Sequence, residues 1–316
     1  KDNQTVLFQT APGDGIELYN GRTSSTNANN LIVRYMRMRT GRQVSGSDNI
    51  DAGGAAYGHD QIYDHCSFTW GTDECFSLNN DKQPKGLYNI TLQNSILGQG
   101  CQNHSCGGLV QTSDEEGVTV FRNLFIDNKT RNFKVKGLNQ FVNNVIYNWT
   151  GEGAYGAQGG SYNIINNYYK PGPVNAAKKT HCRIFTAYVD DGKNQQAKGV
   201  YGKFYVNGNY FETYDKLSAS QKTEAANANA DNTSSTAFVV KNNEIPSQNL
   251  LVSSRFPILD DYSFVQTAQN AYKAILQYAG ASNIRDNIDK RIVDETEKGT
   301  FTYTGSSGGA NGLIDT

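Results

Sequence analysis

No apolar run in this 316-residue chain approaches the length needed to cross a bilayer, so the sequence offers no membrane-spanning helix. Net charge is equally scant. With 29 Lys and Arg against 30 Asp and Glu, the formal balance of -1 gives no electrostatic reason to expect nucleic acid or an anionic membrane as partner, and any anion binding must come from a local cluster. Met and Pro are sparse, at 2 and 6, whereas Gly (32), Tyr (19), Phe (14) and Asn are abundant, a balance that suits a turn-rich β protein and not a helical bundle. The amino terminus, Lys1-Asp2-Asn3-Gln4-Thr5, lacks the apolar core of a signal peptide, so the chain reads as a mature or truncated form. Cysteine is present in an odd number, 5, which leaves at least one thiol free or paired between chains. Cys66 with Cys75 and Cys101 with Cys106 are close enough in sequence to be bridged, and inert buried thiols fit equally; the spacings match none of the usual zinc frameworks. At 37% hydrophobic and 19% charged, the chain can bury a sizeable core, in one large domain or two.

What is there is a repeat. Short strand-like segments at 31–39, 61–68, 89–97, 118–126, 139–147, 162–169 and 203–211 are separated by Gly, Asn and Asp turns. Asn123, Asn144, Asn167 and Asn209 are each followed by large apolar residues, with Asn94 as a near match. A period of roughly 20 to 30 residues signals a solenoid and not a sandwich. A parallel β-helix accounts for the register, because the Asn residues of successive coils can bond along a ladder. That gives the Asn residues a structural role, so the glycosylation triplets at Asn3, Asn89, Asn103, Asn128, Asn148 and Asn232 are read as chance.

Residues 170–202, with Lys178, Lys179 and Lys193, and residues 212–256 interrupt the repeat and read as surface excursions. From Phe264 the period becomes helical. Ala268, Ala271, Ile275 and Tyr278 fall near one face before Gly280, and Ile288, Ile292 and Val293 form a second stripe ending near Gly299, with Asp286 and Asp289 early where the helix dipole favours them. These helices are expected to cover the side or end of the coil. The division that follows is a β-helix over 1–263 and a helical and extended tail over 264–316 packed on it.

The stretch 62–74 joins an alternating strand to the carboxylate pair Asp73-Glu74, a combination suited to a hard cation. Stacked coils place equivalent residues about 4.8 Å apart. Ahead of successive coils come Asp51, then Asp73 and Glu74, then His104, then Arg131 with Lys134 and Lys136. Carboxylates followed by His and cations make a bipolar strip that can hold an anionic sugar chain through calcium on one side and directly on the other. Taken alone, Lys134 and Lys136 alternate with Val135 and would face water from a strand.

At these residues the sequence resembles the pectate lyases of polysaccharide lyase family 1. The blocks are residues 9–16, 64–74, 130–136 and 285–294, with a closing Gly312-Leu-Ile-Asp315, in the family's order from about Gln9 to the end. The resemblance implies an all-β, right-handed parallel β-helix, a secreted protein, and an amino terminus partway into the coil. It implies a polysaccharide lyase that cleaves α-1,4-linked polygalacturonate by β-elimination. Asp51 and Glu74, with Asp73 nearby, would bind Ca2+; Arg131 would be the base; Lys136 would hold the substrate carboxylate, and the bipolar strip adds Lys134 and His104 as candidate substrate contacts. Two positions depart from the pattern: Leu78 stands where many relatives carry a carboxylate, with Asp73 as the substitute, and the block from Asn103 to Gly108 stands where many have a substrate-binding Lys. Arginine is normally protonated, so Arg131 as a base needs a depressed pKa, with activity rising into alkaline pH. His104 is the second choice for base. The chain is expected to be a monomer with pectin as its partner, and with neither nucleic acid nor membrane. Two other readings compete. A β-helical glycoside hydrolase needs two carboxylates across the bond, which Asp73 and Glu74, adjacent on a strand and so pointing apart, would not supply. A non-catalytic polysaccharide-binding β-helix is the other.

Overall fold

The computed structural model describes residues 1–41, 50–80, 85–101, 104–174, 179–192, 197–213, 215 and 217–302. Asn103, Lys178, Lys193 and the block from Gly312 to Asp315 lie outside the described residues. Among the described residues the chain winds into three sheets of eight parallel strands each, and every coil gives one strand to each sheet. This is a parallel β-helix. The first sheet begins at Gln4–Leu7 and ends at Lys203–Asn207; the second runs from Glu17–Tyr19 to Tyr210–Phe211, and the third from Thr23–Ser24 to Phe238–Val240.

Register explains why these segments stack. In the first sheet Val33, Tyr63, Leu92, Val120, Phe141, Ile164 and Val206 pair coil by coil, and all are buried. In the second, Met38, Phe68, Leu97, Phe125, Ile146, Tyr169 and Phe211 do the same. The inward row of the third is slimmer: Ala55, Leu78, Val110, Val135, Gly156 and Ala187. Each buried Val, Leu or Phe stabilises the stack by roughly 1.5–3 kcal/mol relative to exposure.

The Asn ladder is present and fully buried. Asn123, Asn144 and Asn167 each donate both backbone N–H and side-chain amide to the Oδ1 of the next, and Asn167 does so to Asn209, all at 2.8–3.1 Å. It differs from the sequence reading at both ends. The rung before Asn123 is Ser95, not Asn94: Ser95 N donates to Asn123 Oδ1 and Ser95 Oγ accepts from Cys66 N. Asn94 sits one residue off, in the left-handed region, bonded to Asp64. The last rung is Asn232, which accepts from Asn209 at 2.7 Å. Asn128, Asn148 and Asn232 are buried, which leaves no room for a glycan there.

The interruptions are more regular than surface loops. Phe185–Ala187 and Phe238–Val240 continue the third sheet, and between them α1 (Ala219–Ala230) opens on a Ser218–Gln221 capping box. Its Ala225 and Ala228 join the main core, and Asn229 bonds both backbone groups of Phe211 on the last strand of the second sheet. Helices α2 (Ala268–Tyr278) and α3 (Asn287–Lys298) cover the side of the coil, where Ala268, Ile275, Ala279 and Ile292 pack on Ile96, Leu124, Ile126, Val145 and Tyr147 of the second sheet. Asp286 and Asp289 do more than cap α3: Arg39 reaches both, at 2.7 and 3.1 Å, and Ser67 donates to Asp289 at 2.6 Å. Tyr278, expected on the apolar face of α2, is half exposed. The five cysteines are free and buried, which selects the thiol reading over disulfides.

Candidate active site

The third sheet builds the site. Strand Glu74–Asn79 pairs with Cys106–Gln111 so that Cys106 lies opposite Glu74, and the latter strand pairs with Lys134–Lys136 so that Leu109 lies opposite Lys134 and Gln111 opposite Lys136. Backbone bonds carry the same stacking into the approaches: Ala52 N donates to Glu74 O, Cys106 N to Asp73 O, and Gly107 N to Thr130 O. Asp51, Asp73, Glu74, His104 and Arg131 therefore occupy one corner of consecutive coils, as the bipolar strip predicts.

Their side chains meet. Asp51 Oδ1 accepts from Glu74 N at 3.1 Å. His104 Nε2 lies 3.3 Å from Asp73 Oδ1, and Arg131 Nη1 lies 3.7 Å from the same oxygen while bonding directly to Glu74 Oε1. Asp73 and Glu74 thus converge on one guanidinium and do not point apart, because they sit where a turn enters the strand and alternation has not yet begun. Arg131 is itself in the left-handed region (φ 56°). Its turn lies tight on the strand beneath, and the approach requires glycine: a Cβ on Gly107 would stand 2.5 Å from Asn132 Oδ1 and 2.7 Å from the Arg131 carbonyl.

Burial dominates the electrostatics. Glu74 is pushed up to about 9 by desolvation, against the pull of Arg131 and with the help of the Asp73 and Asp51 carboxylates. Asp51 is raised by the same burial. For Arg131 burial acts downward, but the Glu74 carboxyl and the hydrogen bond to Tyr155 outweigh it and hold the guanidinium above its usual range. The depressed pKa that a base would need is therefore not a property of the metal-free cluster. Three acidic side chains crowd together, and the buried Asp73 Oδ1 accepts no hydrogen bond of proper geometry among the described residues. Asp51, Asp73 and Glu74 accordingly fit a hard divalent cation, which takes several carboxylate oxygens.

Two neighbours of the cluster are not among the residues read from the sequence. Tyr155 OH accepts from Arg131 Nε at 3.0 Å; it stands opposite Lys134 one coil on, so counting a coil forward from Lys134 would have found it. Beyond it Tyr155 stacks on Tyr188, whose hydroxyl bonds Glu152 and Lys241. Cys106, opposite Glu74, is the other. Lys134 and Lys136 stand on the adjacent strand, flanking inward-facing Val135, and Lys136 is only 6% exposed, so it does not simply face water. Leu78 faces the core between Ala55 and Val110.

The chain is a parallel β-helix with an acidic and cationic patch where strands of its third sheet begin, and comparison with known proteins gives its family. No family model matches the chain. A probable pectate lyase C of Aspergillus flavus is 41% identical over 93% of this chain and 61% of its own length, and one of Aspergillus terreus is 38% identical over 98% of this chain and 67% of its own. The chain belongs to the pectate lyase family. It spans about three fifths of the Aspergillus flavus protein. Among solved structures, a pectate lyase from Bacillus sp. N165 in complex with trigalacturonate has a TM-score of 0.55 at 15% identity, covering 90% of this chain and 76% of that one. Pectate lyase C from Erwinia chrysanthemi at pH 9.5 with 30 mM Ca2+ has a TM-score of 0.52 at 16% identity, covering 85% and 70%. These two share the fold. No helix among the described residues is long and apolar enough to cross a membrane.

Proposed function

We propose that this chain cleaves α-1,4-linked polygalacturonate by β-elimination, with calcium at Asp51, Asp73 and Glu74, Arg131 as base, and Lys134, Lys136 and His104 as substrate contacts. The observation that carries this reading is the convergence of Asp73, Glu74, His104 and Arg131 within contact distance, with Asp51 on the Glu74 backbone. A calcium ion held by these carboxylates would supply positive charge against the uronate carboxylate and so acidify the proton on C5. With that charge in place Arg131 would no longer be needed as counter-ion to Glu74, and the added positive charge beside it would favour the neutral guanidine. As base it would take the C5 proton; the C5–H electron pair forms the C4–C5 double bond, and the bond from C4 to the glycosidic oxygen breaks with its pair on that oxygen, which takes a proton from solvent. Tyr155 holds the Nε edge of the guanidinium, opposite the Nη1 that faces Glu74. The same reading makes the protein a secreted monomer acting on pectin.

Ultraviolet absorbance during incubation with polygalacturonate at alkaline pH, with and without a chelator, tests the reaction. Calcium-dependent growth of absorbance is the expected result, and Arg131→Lys is expected to lower the rate by about 10²-fold or more while substrate binding is kept. Reducing ends without absorbance would establish hydrolysis instead, and neither signal with retained binding would leave a non-catalytic polysaccharide-binding protein.

A further inference from the structure

The acidic cluster has a soft side. One ligand atom each from Asp73, Glu74, His104 and Cys106 lie within 4.8 Å of one another. His104 Nε2 is already 3.3 Å from Asp73 Oδ1, which is buried yet accepts no hydrogen bond of proper geometry among the described residues, and Cys106 stands opposite Glu74 on the next strand and is buried. Calcium, a hard ion that takes oxygen ligands, has no use for a thiol or an imidazole. Zinc and ions like it do: they settle in four-coordinate sites of sulfur, nitrogen and carboxylate oxygen. Sequence spacing conceals such a site, because His104 and Cys106 come from one coil and Asp73 and Glu74 from the coil before.

We propose that Asp73, Glu74, His104 and Cys106 form a zinc-type site that overlaps the oxygen-donor set at Asp73 and Glu74, so that a soft divalent ion and calcium exclude one another. On coordination the Cys106 thiol gives its proton to solvent and the sulfur becomes a ligand as thiolate. Arg131 yields its contact with Glu74 to whichever ion is bound. The competition rests on the calcium reading above; binding of the soft ion rests on the cluster alone.

Cobalt(II) is the probe, since a thiolate ligand gives it a near-ultraviolet charge-transfer band that oxygen ligands do not. Titrating the full chain is expected to raise that band at one equivalent, zinc to bleach it, and excess calcium to weaken the apparent cobalt affinity several-fold. Cys106→Ser is expected to abolish the band. Because Cys106 is buried, far-ultraviolet circular dichroism checks that this variant folds, and His104→Ala, whose side chain is 42% exposed, gives a second lever with a loss of about tenfold or more in cobalt affinity. No band in the native chain, an undiminished band in Cys106→Ser, or unchanged affinity in His104→Ala each overturns the site. A band indifferent to calcium overturns the overlap. No step of this titration uses substrate, so a failed lyase assay beside a normal cobalt titration would count against the reaction and not against the metal site.

Discussion

Tyr155 shows how much of this site hangs on single atoms. Its hydroxyl is the partner of Arg131 Nε, and its ring rests on Tyr188 at 5.0 Å, so the guanidinium is aimed by a side chain that is itself braced. Tyr155→Phe keeps the ring stack and removes one hydrogen bond to a charged group. Such a bond contributes about 1.5–3 kcal/mol, and kcat is expected to fall about tenfold or more with KM little changed, measured by the absorbance assay. An unaltered kcat would mean that Tyr155 is a wall and not a positioning residue. At this scale the sequence was partly legible. Asp51, Asp73, Glu74, His104 and Arg131 could be placed together because coil stacking converts order along the chain into adjacency. Tyr155 and Cys106 were not legible in the same way, since a Tyr or a Cys in a coil looks like core, and only the register sets them beside Arg131 and Glu74.

At the scale of elements, the turn that carries Arg131 is held by what the neighbouring strand lacks. Gly107 and Gly108 accept the backbone of that turn at contact distance, with Gly107 N donating to Thr130 O and Gly108 N to Arg131 O. Gly107→Ala puts a methyl group where Asn132 Oδ1 and the Arg131 carbonyl stand, so the turn must lift. Overpacking of this kind costs about 1–3 kcal/mol, and the variant is expected to lose that much stability in denaturant titration together with most of its activity. Retained activity with lowered stability would show that the turn can move without misaligning the base. The repeating strands were readable from alternation and Asn spacing, but the ladder was misplaced at Ser95, because a hydroxyl fills the rung as well as an amide and a pattern built on Asn alone passes over it. Helix α1 was hidden for a different reason. Its buried positions are Ala225 and Ala228, too small to make a hydrophobic stripe, and its start is written only in the Ser218–Gln221 capping box.

For the molecule as a whole, the question is what joins the C-terminal helices to the coil. Arg39 has its guanidinium buried among Glu17, Thr69, Asp286 and Asp289, and this one side chain ties a strand of the second sheet to the start of α3. Arg39→Ala leaves Asp289 buried without its main cation, and breaking a buried pair from one side costs about 3–5 kcal/mol, to be read from denaturant midpoints at neutral pH. The pH dependence has a definite sign. Burial acts to raise the Asp286 pKa, but Arg39 and the Asp289 N–H outweigh it and hold it below its ordinary 3.8, so its contribution is present above that value and fades as pH falls through the lower folded value. The gap between native and variant is therefore expected to narrow in acid; a constant gap would place the loss in packing and not in charge.

A stack of coils touches itself only between neighbours, and such stacks grow from whatever end or middle forms first. The bond from Arg39 to Asp289 joins residues 250 apart in sequence. While the chain is being synthesised, every coil can therefore be laid down before its clasp exists. A nascent chain that has passed Val240 but not yet emitted Asp286 carries every strand of the three sheets, the Asn ladder and the acidic cluster, with Arg39 still lacking the carboxylates of Asp286 and Asp289, so what remains to be made is a closure across the side of the coil and not another turn.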